Sequence, residues 1–299
     1  MTQLRRILRL SRPVELLLAL LTYSLGLGIA RYVGVSLRAE PQFVGACIVL
    51  LLLAASNLLV VFFRPFNEPV FPVSASEKEL TPAELEALRS FLLVFGAAFL
   101  AVAGVLIFLL QRAGYVQINA ALALVAFSLL ALANAVPPVR LASRGFGETV
   151  SAYLLASLTP NLAFLLQTGD FNRLLTLFTF PLFLIALACF LALDFPAYAE
   201  DLKYERRSLL MALTWQRAVP LHHVLLFAAY FSLLLGVFLG VSIDLVWPGL
   251  LTLPLAIYQV FILHSIAQGA KPLWTAFSVT ALAIFGLSAY LLALTFWLR

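Results

Sequence analysis

The chain has 299 residues, of which 63% are hydrophobic and 11% are charged, and its formal net charge is +5. A soluble domain carries about twice that charged fraction, and no soluble core would bury so much apolar surface. The composition therefore excludes a soluble protein and predicts one embedded in a lipid bilayer. The two cysteines, Cys47 and Cys189, lie inside apolar runs, so neither a disulfide framework nor a cysteine metal site is expected.

Nine apolar runs are long enough, at roughly 17–25 residues, to cross a bilayer as helices. In chain order they cover residues 14–31, 43–63, 91–111, 115–136, 149–167, 173–194, 220–240, 245–263 and 273–297. They lack the two-residue alternation of barrel strands. The sequence therefore predicts an all-α, multi-pass membrane protein of one domain, residues 1–299, with nine transmembrane helices around an apolar chamber.

The basic residues are distributed unequally between the two sides of these helices. The N-terminal segment and the alternate loops on its side hold 14 of the 19. This asymmetry predicts a cytoplasmic N-terminus and, after nine crossings, a C-terminus outside, as in a prokaryotic cell membrane. A cleavable signal peptide is the alternative for the first 30 residues, but the apolar segment is long for one. The same charges suit anionic lipid, so the bilayer and not nucleic acid is the expected partner.

The acidic residues collect on the same side, which holds 11 of the 14, mostly in two loops near residues 64–90 and 195–219. The middles of the nine runs hold almost no ionisable residues, which disfavours a pore or an alternating-access transporter. The pattern indicates a one-sided site, in which a cytoplasmic polar cap covers an apolar chamber.

The first of these loops contains three prolines between residues 65 and 72, which exclude a regular helix there. The sequence Thr81-Pro82-Ala83-Glu84 then has the form of a capping box with proline at the first helical position. It predicts a short amphipathic helix that leads into the third run. Such a helix serves either as a solvated connection or as a lid, and the sequence leaves both open.

The second loop begins with "DFPAYAEDLK", residues 194–203. On one helix Asp194 and Asp201 would share a face about 10 Å apart, too far for both to hold one metal ion. The spacing suits two cations bridged by a phosphorylated substrate, or a helix broken near Pro196. Mg²⁺ prefers carboxylates together with substrate phosphates, and Lys203 adds a compact positive charge. Ordinary charges at the water interface are the alternative explanation.

These loops, together with nine spans, resemble the UbiA superfamily of intramembrane prenyltransferases. Asp194, Asp201 and Lys203 match the family's second Asp-rich motif, D-x-x-D-x-x-G-D-x-K. "VPPVRL" at 136–141 is similar to its Pro-Pro-x-Arg-Leu turn, and "LRLSRP" at 8–13 is similar to its lead into the first helix.

The chain also departs from the family pattern. In the second motif, Ala197 replaces the middle aspartate and Glu200 replaces the usual glycine. In the first motif, N-D-x-x-D-x-x-x-D, only Asn57 matches. The three aspartate positions are occupied by Leu58, Val61 and Pro65.

The resemblance implies transfer of a polyprenyl group from a polyprenyl diphosphate to a lipid-soluble, preferentially aromatic acceptor, with Mg²⁺ as cofactor. It implies that Asp194 and Asp201 are catalytic and hold Mg²⁺, assisted by Glu68 and Glu200. The implied substrate-binding residues are Lys203, Arg140, Arg64, Asn57 and Asn67. Two interpretations stay open, namely an active enzyme with one metal or replaced ligands and a non-catalytic isoprenoid- or lipid-binding protein of the same fold.

Overall fold

Helices make up the regular structure of the computed structural model, which describes residues 3–65, 68, 70 and 81–299. No strand occurs among these residues. The α-helices in chain order are α1 (Gln3–Leu10), α2 (Pro13–Tyr32), α3 (Ala39–Phe62), α4 (Pro82–Arg112), α5 (Ile118–Ala135), α6 (Gly147–Tyr153), α7 (Thr159–Thr168), α8 (Arg173–Asp194), α9 (Tyr198–Lys203), α10 (Leu209–Leu213), α11 (Trp215–Phe238), α12 (Ile243–Leu250), α13 (Leu253–Ala267) and α14 (Trp274–Leu298).

Nine spans within the described part of the chain are long and apolar enough to cross a membrane. Six are single helices, namely α2, α3, α4, α5, α11 and α14, and three are continuous pairs, α6–α7, α8–α9 and α12–α13. Each coincides with one predicted run. The all-α, multi-pass prediction is therefore confirmed, while the single domain and the orientation of the termini stay predictions.

The third span begins earlier than its apolar run because the predicted capping box is formed. The Thr81 hydroxyl accepts the Glu84 N–H at 3.3 Å, and the Glu84 carboxylate accepts the Thr81 N–H at 3.0 Å. Pro82 occupies the first helical position, where its missing N–H has no helical partner to lose. The amphipathic segment and the apolar run form one helix of 31 residues.

Burial separates central helices from peripheral ones. The span formed by α6 and α7 is 72% buried inside the protein, whereas the span of α4 is 17% buried. The main apolar core joins α2, α8 and α14 to α3, α5, α7 and α11. A smaller cluster, which we call the α4 cluster, consists of Ile7, Leu10, Leu58, Val61, Val70, Leu88 and Leu92.

The central helix pair contains a π-helical turn, Leu154–Leu158, just before Pro160. Proline has no N–H for the helical ladder, and the Thr159 hydroxyl donates to the Leu154 carbonyl at 2.7 Å. Gly26 of α2 lies directly against the carbonyl of Pro160, which is buried. The two helices approach this closely because residue 26 has no side chain.

We expect Gly26→Ala to lower the melting temperature of the detergent-solubilised protein. The added Cβ would overlap the Pro160 carbonyl and lie 2.9 Å from the Ala163 side chain, and such overpacking costs about 1–3 kcal/mol. Gly104→Ala on α4 is the matched control, because no atom lies within 4 Å of a Cβ at that position. Equal melting temperatures for the two variants would contradict the close packing of α2 and α7.

Candidate functional site

A cavity of about 560 Å³ lies at one end of the bundle, where α3, α5 and α8 end and where α2 and α6 begin. Val60, Phe190 and Leu193 contribute apolar surface to it. Its charged lining consists of five arginines and six acidic residues: Arg12, Arg64, Arg140, Arg206, Arg207, Glu15, Glu68, Glu148, Asp194, Asp201 and Glu205. Ionisable groups that the sequence predicted on one side of the membrane thus line a single cavity.

One side of the cavity is built at the junction of α1 and α2. Arg12 has a left-handed backbone conformation (φ 54°) immediately before Pro13 starts α2. Its guanidinium forms an ion pair with Glu15 at 2.7 Å, which raises the pKa of Arg12. The Asn57 amide donates to the other Glu15 oxygen and to the Ser11 carbonyl, each at 3.2 Å. Asn57 therefore ties the end of α3 to the start of α2 and holds the ion pair in place.

Arg64 places a desolvated positive charge at the cavity. Burial, together with the nearby positive charges of Arg12 and Arg206, lowers the pKa of Arg64 to about 10. The side chain still carries its charge at neutral pH. Because like charges in a partly dry site repel one another, an anion bound in the cavity would stabilise these three arginines.

The segment that carries Asp194 and Asp201 is a broken helix. The last residue of α8 is Asp194, a 3₁₀ turn covers Phe195–Ala197, and α9 begins at Tyr198. Of the two geometries that the spacing allowed, the break near Pro196 is the observed one. Both aspartates line the same cavity.

Asp194 lies beside a second acid, Glu148 of α6, close enough for the two carboxyl groups to interact. Glu148 is oriented by the Leu209 N–H, which donates to it at 3.1 Å. Oxygen Oδ2 of Asp194 is buried and accepts no hydrogen bond within the described structure. Adjacent carboxylates are stable only with a proton or a cation between them, so this pair fits a hard cation such as Mg²⁺.

Three other acids, Glu68 of the first loop and Glu200 and Asp201 of the second, surround an arginine. Nitrogens Nε, Nη1 and Nη2 of Arg206 lie 3.4 Å from Glu68, 3.5 Å from Asp201 and 3.8 Å from Glu200, respectively. Asp201 also accepts a hydrogen bond from the Ser208 hydroxyl. Of the four predicted metal ligands, three therefore contact a guanidinium, and Asp194 pairs with Glu148.

The turn after α9 explains why Arg206 reaches these acids. Glu205 has a left-handed conformation (φ 52°), and the Arg206 N–H donates to the Asp201 carbonyl at 2.9 Å. This is the six-to-one hydrogen bond of a Schellman turn. Glu205 occupies the position of that turn at which glycine is usual. The turn reverses the chain, so the Arg206 side chain lies over α9.

No family model matches the sequence, and no curated protein matches it. Solved structures do match along the whole chain. A UbiA homolog from Archaeoglobus fulgidus bound to DMAPP and Mg²⁺ has 16% identity and a TM-score of 0.64 over 96% of this chain and 98% of that one. The same homolog bound to GPP and Mg²⁺ has 17% identity and a TM-score of 0.63 over 96% and 99%.

A structure of digeranylgeranylglyceryl phosphate synthase has 14% identity and a TM-score of 0.56 over 100% of this chain and 98% of that one. The chain has the UbiA-like fold. The fold that the short motifs implied is thus confirmed over essentially the full length, and at 14–17% identity this likeness shows the fold alone.

Within this UbiA-like fold, most of the predicted site residues lie together. Asp194, Asp201, Glu68, Arg140, Arg64 and Asn57 line the cavity. Lys203 and Glu200 are not among its lining residues. Lys203 is exposed, with Nζ 5.1 Å from the Tyr204 ring, and Glu200 lies 3.8 Å from Arg206. Asn67 lies outside the described residues.

The UbiA-like fold also brings in residues that the sequence did not single out, chiefly Arg12, Glu15, Glu148 and Arg206. Arg12 falls within the "LRLSRP" segment, which the resemblance did flag. Glu148 lies seven residues beyond the "VPPVRL" segment, just before the fifth apolar run, and no motif marks it. No sequence signal pairs Glu148 with Asp194, since 45 intervening positions and helix packing separate them.

The motif positions that have lost aspartate do not all face the cavity of this UbiA-like fold. Leu58 and Val61 belong to the α4 cluster, where their side chains are 0% and 4% exposed. Asn57, Val60 and Arg64 line the cavity instead. Because residues three, four and seven apart share a helix face, the face that begins at Asn57 serves the site and the neighbouring face serves the core.

We expect Glu205→Gly to stabilise the protein by about 1 kcal/mol, because a left-handed backbone costs that much for a residue with a Cβ. Glu205→Ala is the control, since it removes the carboxylate and keeps the unfavourable conformation. Thermal unfolding in detergent compares the two variants. A glycine variant no more stable than the alanine variant would contradict the left-handed turn that positions Arg206.

Proposed function

We propose that the protein is a membrane prenyltransferase that binds a polyprenyl diphosphate in the cavity and transfers the polyprenyl group to a lipid-soluble acceptor. The observation that carries this proposal is the composition of the cavity, in which arginines and the Asp194–Glu148 pair lie beside the apolar interior of a UbiA-like fold. The similar UbiA homolog structures bound to GPP or DMAPP with Mg²⁺ support it.

The diphosphate is proposed to lie among Arg12, Arg64 and Arg140. Negative charge grows on a diphosphate as it departs, and cations fixed in advance stabilise that charge without reorganising. Arg12 is fixed by Glu15, and Arg64 is held in a partly dry environment. Both features favour binding of a multiply charged anion over binding of a neutral lipid.

Asp194 and Glu148 would hold Mg²⁺, with phosphate oxygens completing its coordination. The ion, when bound, supplies Lewis-acid stabilisation of the diphosphate oxygens. The task of the two side chains is to keep a buried, hydrogen-bond-free oxygen available for that ion.

In the proposed reaction the bond between the allylic carbon and the diphosphate oxygen breaks, and its electron pair leaves with the diphosphate. The acceptor then forms a bond to the allylic carbon and releases a proton. Phe190 lines the cavity, and an aromatic face attracts positive charge. The apolar chain of the substrate would extend among the helices, where water is excluded.

The proposed orientation places this cavity at the cytoplasmic face of a prokaryotic cell membrane, with the C-terminus outside. The loops at the cavity end hold most of the basic residues, as the positive-inside rule requires. We also propose that residues 1–299 act as one domain, since the cavity is lined from Arg12 to Ser208.

A non-catalytic isoprenoid-binding protein is the second candidate. It is favoured by the apolar residues Leu58 and Val61 at two motif aspartate positions and by the guanidinium that contacts Glu68 and Asp201. Both candidates require binding of a prenyl diphosphate or a related lipid. They differ in whether the diphosphate is released.

We expect geranyl diphosphate to raise the melting temperature of the purified protein in an Mg²⁺-dependent manner. Ligand at a hundred times its dissociation constant stabilises the folded state by about 2.7 kcal/mol. The double variant Glu148→Gln/Asp194→Asn should lose the Mg²⁺-dependent part, because neither amide attracts the ion. Melting curves with and without Mg²⁺ and ligand provide the measurement.

Glu86→Gln is the matched control, since Glu86 is exposed at the same end of the bundle and does not line the cavity. If the wild-type protein does not respond to the ligand, or if the double variant responds as the wild type does, the cavity is not the proposed diphosphate site. Inorganic diphosphate released in the presence of candidate acceptors identifies an enzyme, whereas ligand binding without release favours the second candidate.

A further inference from the structure

The cavity contains two acidic groups of different character. Asp194 and Glu148 lie side by side, and an oxygen of Asp194 lacks a hydrogen bond in the described structure. Glu68, Glu200 and Asp201 instead share one guanidinium, that of Arg206. The first group forms no ion pair within the described structure, although Arg12 lies near enough to interact with both acids, whereas the second contains the Arg206 guanidinium; one oxygen of Glu200 also lacks a hydrogen bond there.

The contacts of Arg206 use the whole guanidinium. Each of its three nitrogens faces a different carboxylate, at 3.4 to 3.8 Å. The side chains are shielded from solvent, with exposed fractions of 20% for Arg206, 13% for Glu68 and 7% for Asp201. Arginine cannot be deprotonated at physiological pH, so this positive charge is permanent.

The spacing of these acids matches a guanidinium better than a metal ion. Mg²⁺ holds its oxygen ligands at about 2.0–2.1 Å, whereas a planar guanidinium keeps the carboxylates apart. Among the described residues, no three side chains of histidine, cysteine, aspartate or glutamate are arranged to hold a metal ion. A divalent ion and Arg206 would also compete for the same oxygens.

The backbone fixes Arg206 in this position at a cost. The left-handed conformation of Glu205 is unfavourable for a residue with a Cβ, and the Arg206 N–H is held by the Asp201 carbonyl. Glu68 comes from the segment after α3, so the guanidinium also joins two distant parts of the cavity wall. Such a group is preorganised for a ligand in the cavity.

We propose that Arg206 is a built-in cation that neutralises Glu68, Glu200 and Asp201, so that the cavity binds a prenyl diphosphate with a single divalent ion, held at Asp194 and Glu148. This inference rests on the proposed function and defines the cofactor requirement of the same site. Without Arg206, the carboxylates of Glu68 and Asp201, which line the cavity, would face the diphosphate and repel it.

The first experiment counts the divalent ions bound by the wild-type protein. Detergent-solubilised protein saturated with geranyl diphosphate is titrated with Mn²⁺, and the free ion is followed by electron paramagnetic resonance. We expect one ion per chain, which the Glu148→Gln/Asp194→Asn variant loses. Two ions per chain in the wild-type complex would overturn the proposal.

The second experiment measures the affinity for geranyl diphosphate in Arg206→Gln, at the Mn²⁺ concentration that saturates the wild-type protein. Loss of one charge-assisted contact weakens binding by about tenfold or more. We expect added Mn²⁺ to restore part of that affinity, because the released carboxylates then attract an ion. Unchanged affinity, or a loss that added Mn²⁺ leaves as it is, would show that Arg206 acts only in folding or packing.

Two further variants keep the test decisive. Arg206→Lys retains the charge and is expected to bind one ion, while Arg217→Gln removes an exposed arginine outside the cavity and should match the wild type. If Arg206→Gln does not fold, the ion counts of the wild type and the lysine variant decide. Failure of the wild type to bind geranyl diphosphate at any Mn²⁺ concentration would refute the proposed function itself, whereas binding with two ions refutes only the role of Arg206.

Discussion

The absence of water from the bilayer interior is the constraint on which the rest of this structure depends. Every backbone N–H and C=O in that region needs a partner within the protein, so the spans are helices. A charged side chain in that region has a high free-energy cost, so most charged residues lie near the helix ends. The breaks at Pro196 and before Pro13 are therefore where functional groups gather, because there the chain leaves the helical ladder within reach of polar residues.

Because the charged side chains lie together at one end of the bundle, the ion pairs among them determine which charges stay available to a ligand. Arg12 pairs with Glu15, Arg206 pairs with three acids, and the charges of the lining nearly balance. In a partly dry site an unpaired charge costs far more than in water. Asp194 with Glu148 and the desolvated Arg64 are not compensated in this way, so a ligand that brings one cation and several negative charges suits these groups.

The sequence predicted whatever depends on local pattern. Apolar run lengths predicted nine spans, the capping box predicted the start of α4, and the Asp194–Asp201 spacing with Pro196 anticipated the broken helix. Long-range packing could not be predicted from the sequence, since the contact between Glu148 and Asp194 depends on how α6 and α8 pack. The direction of the Arg206 side chain depends on the left-handed backbone of Glu205, which a glutamate in the sequence does not predict. Lys203, just before the same turn, does not line the cavity.

The apolar residues at two first-motif positions and the α3 residues that line the cavity lie on two different faces of that helix. Leu58 and Val61 pack into the α4 cluster, so a carboxylate there would be buried among apolar side chains without a partner. Arg64, two residues after the end of that helix, lines the cavity as well, and the segment beyond it supplies Glu68 to Arg206. Arg64, just after α3, thus brings positive charge to the cavity, while Glu148 of α6 and Asp194 of α8 bring the paired acids. On our proposal a diphosphate would contact Arg64 as well as the cation held by the two acids.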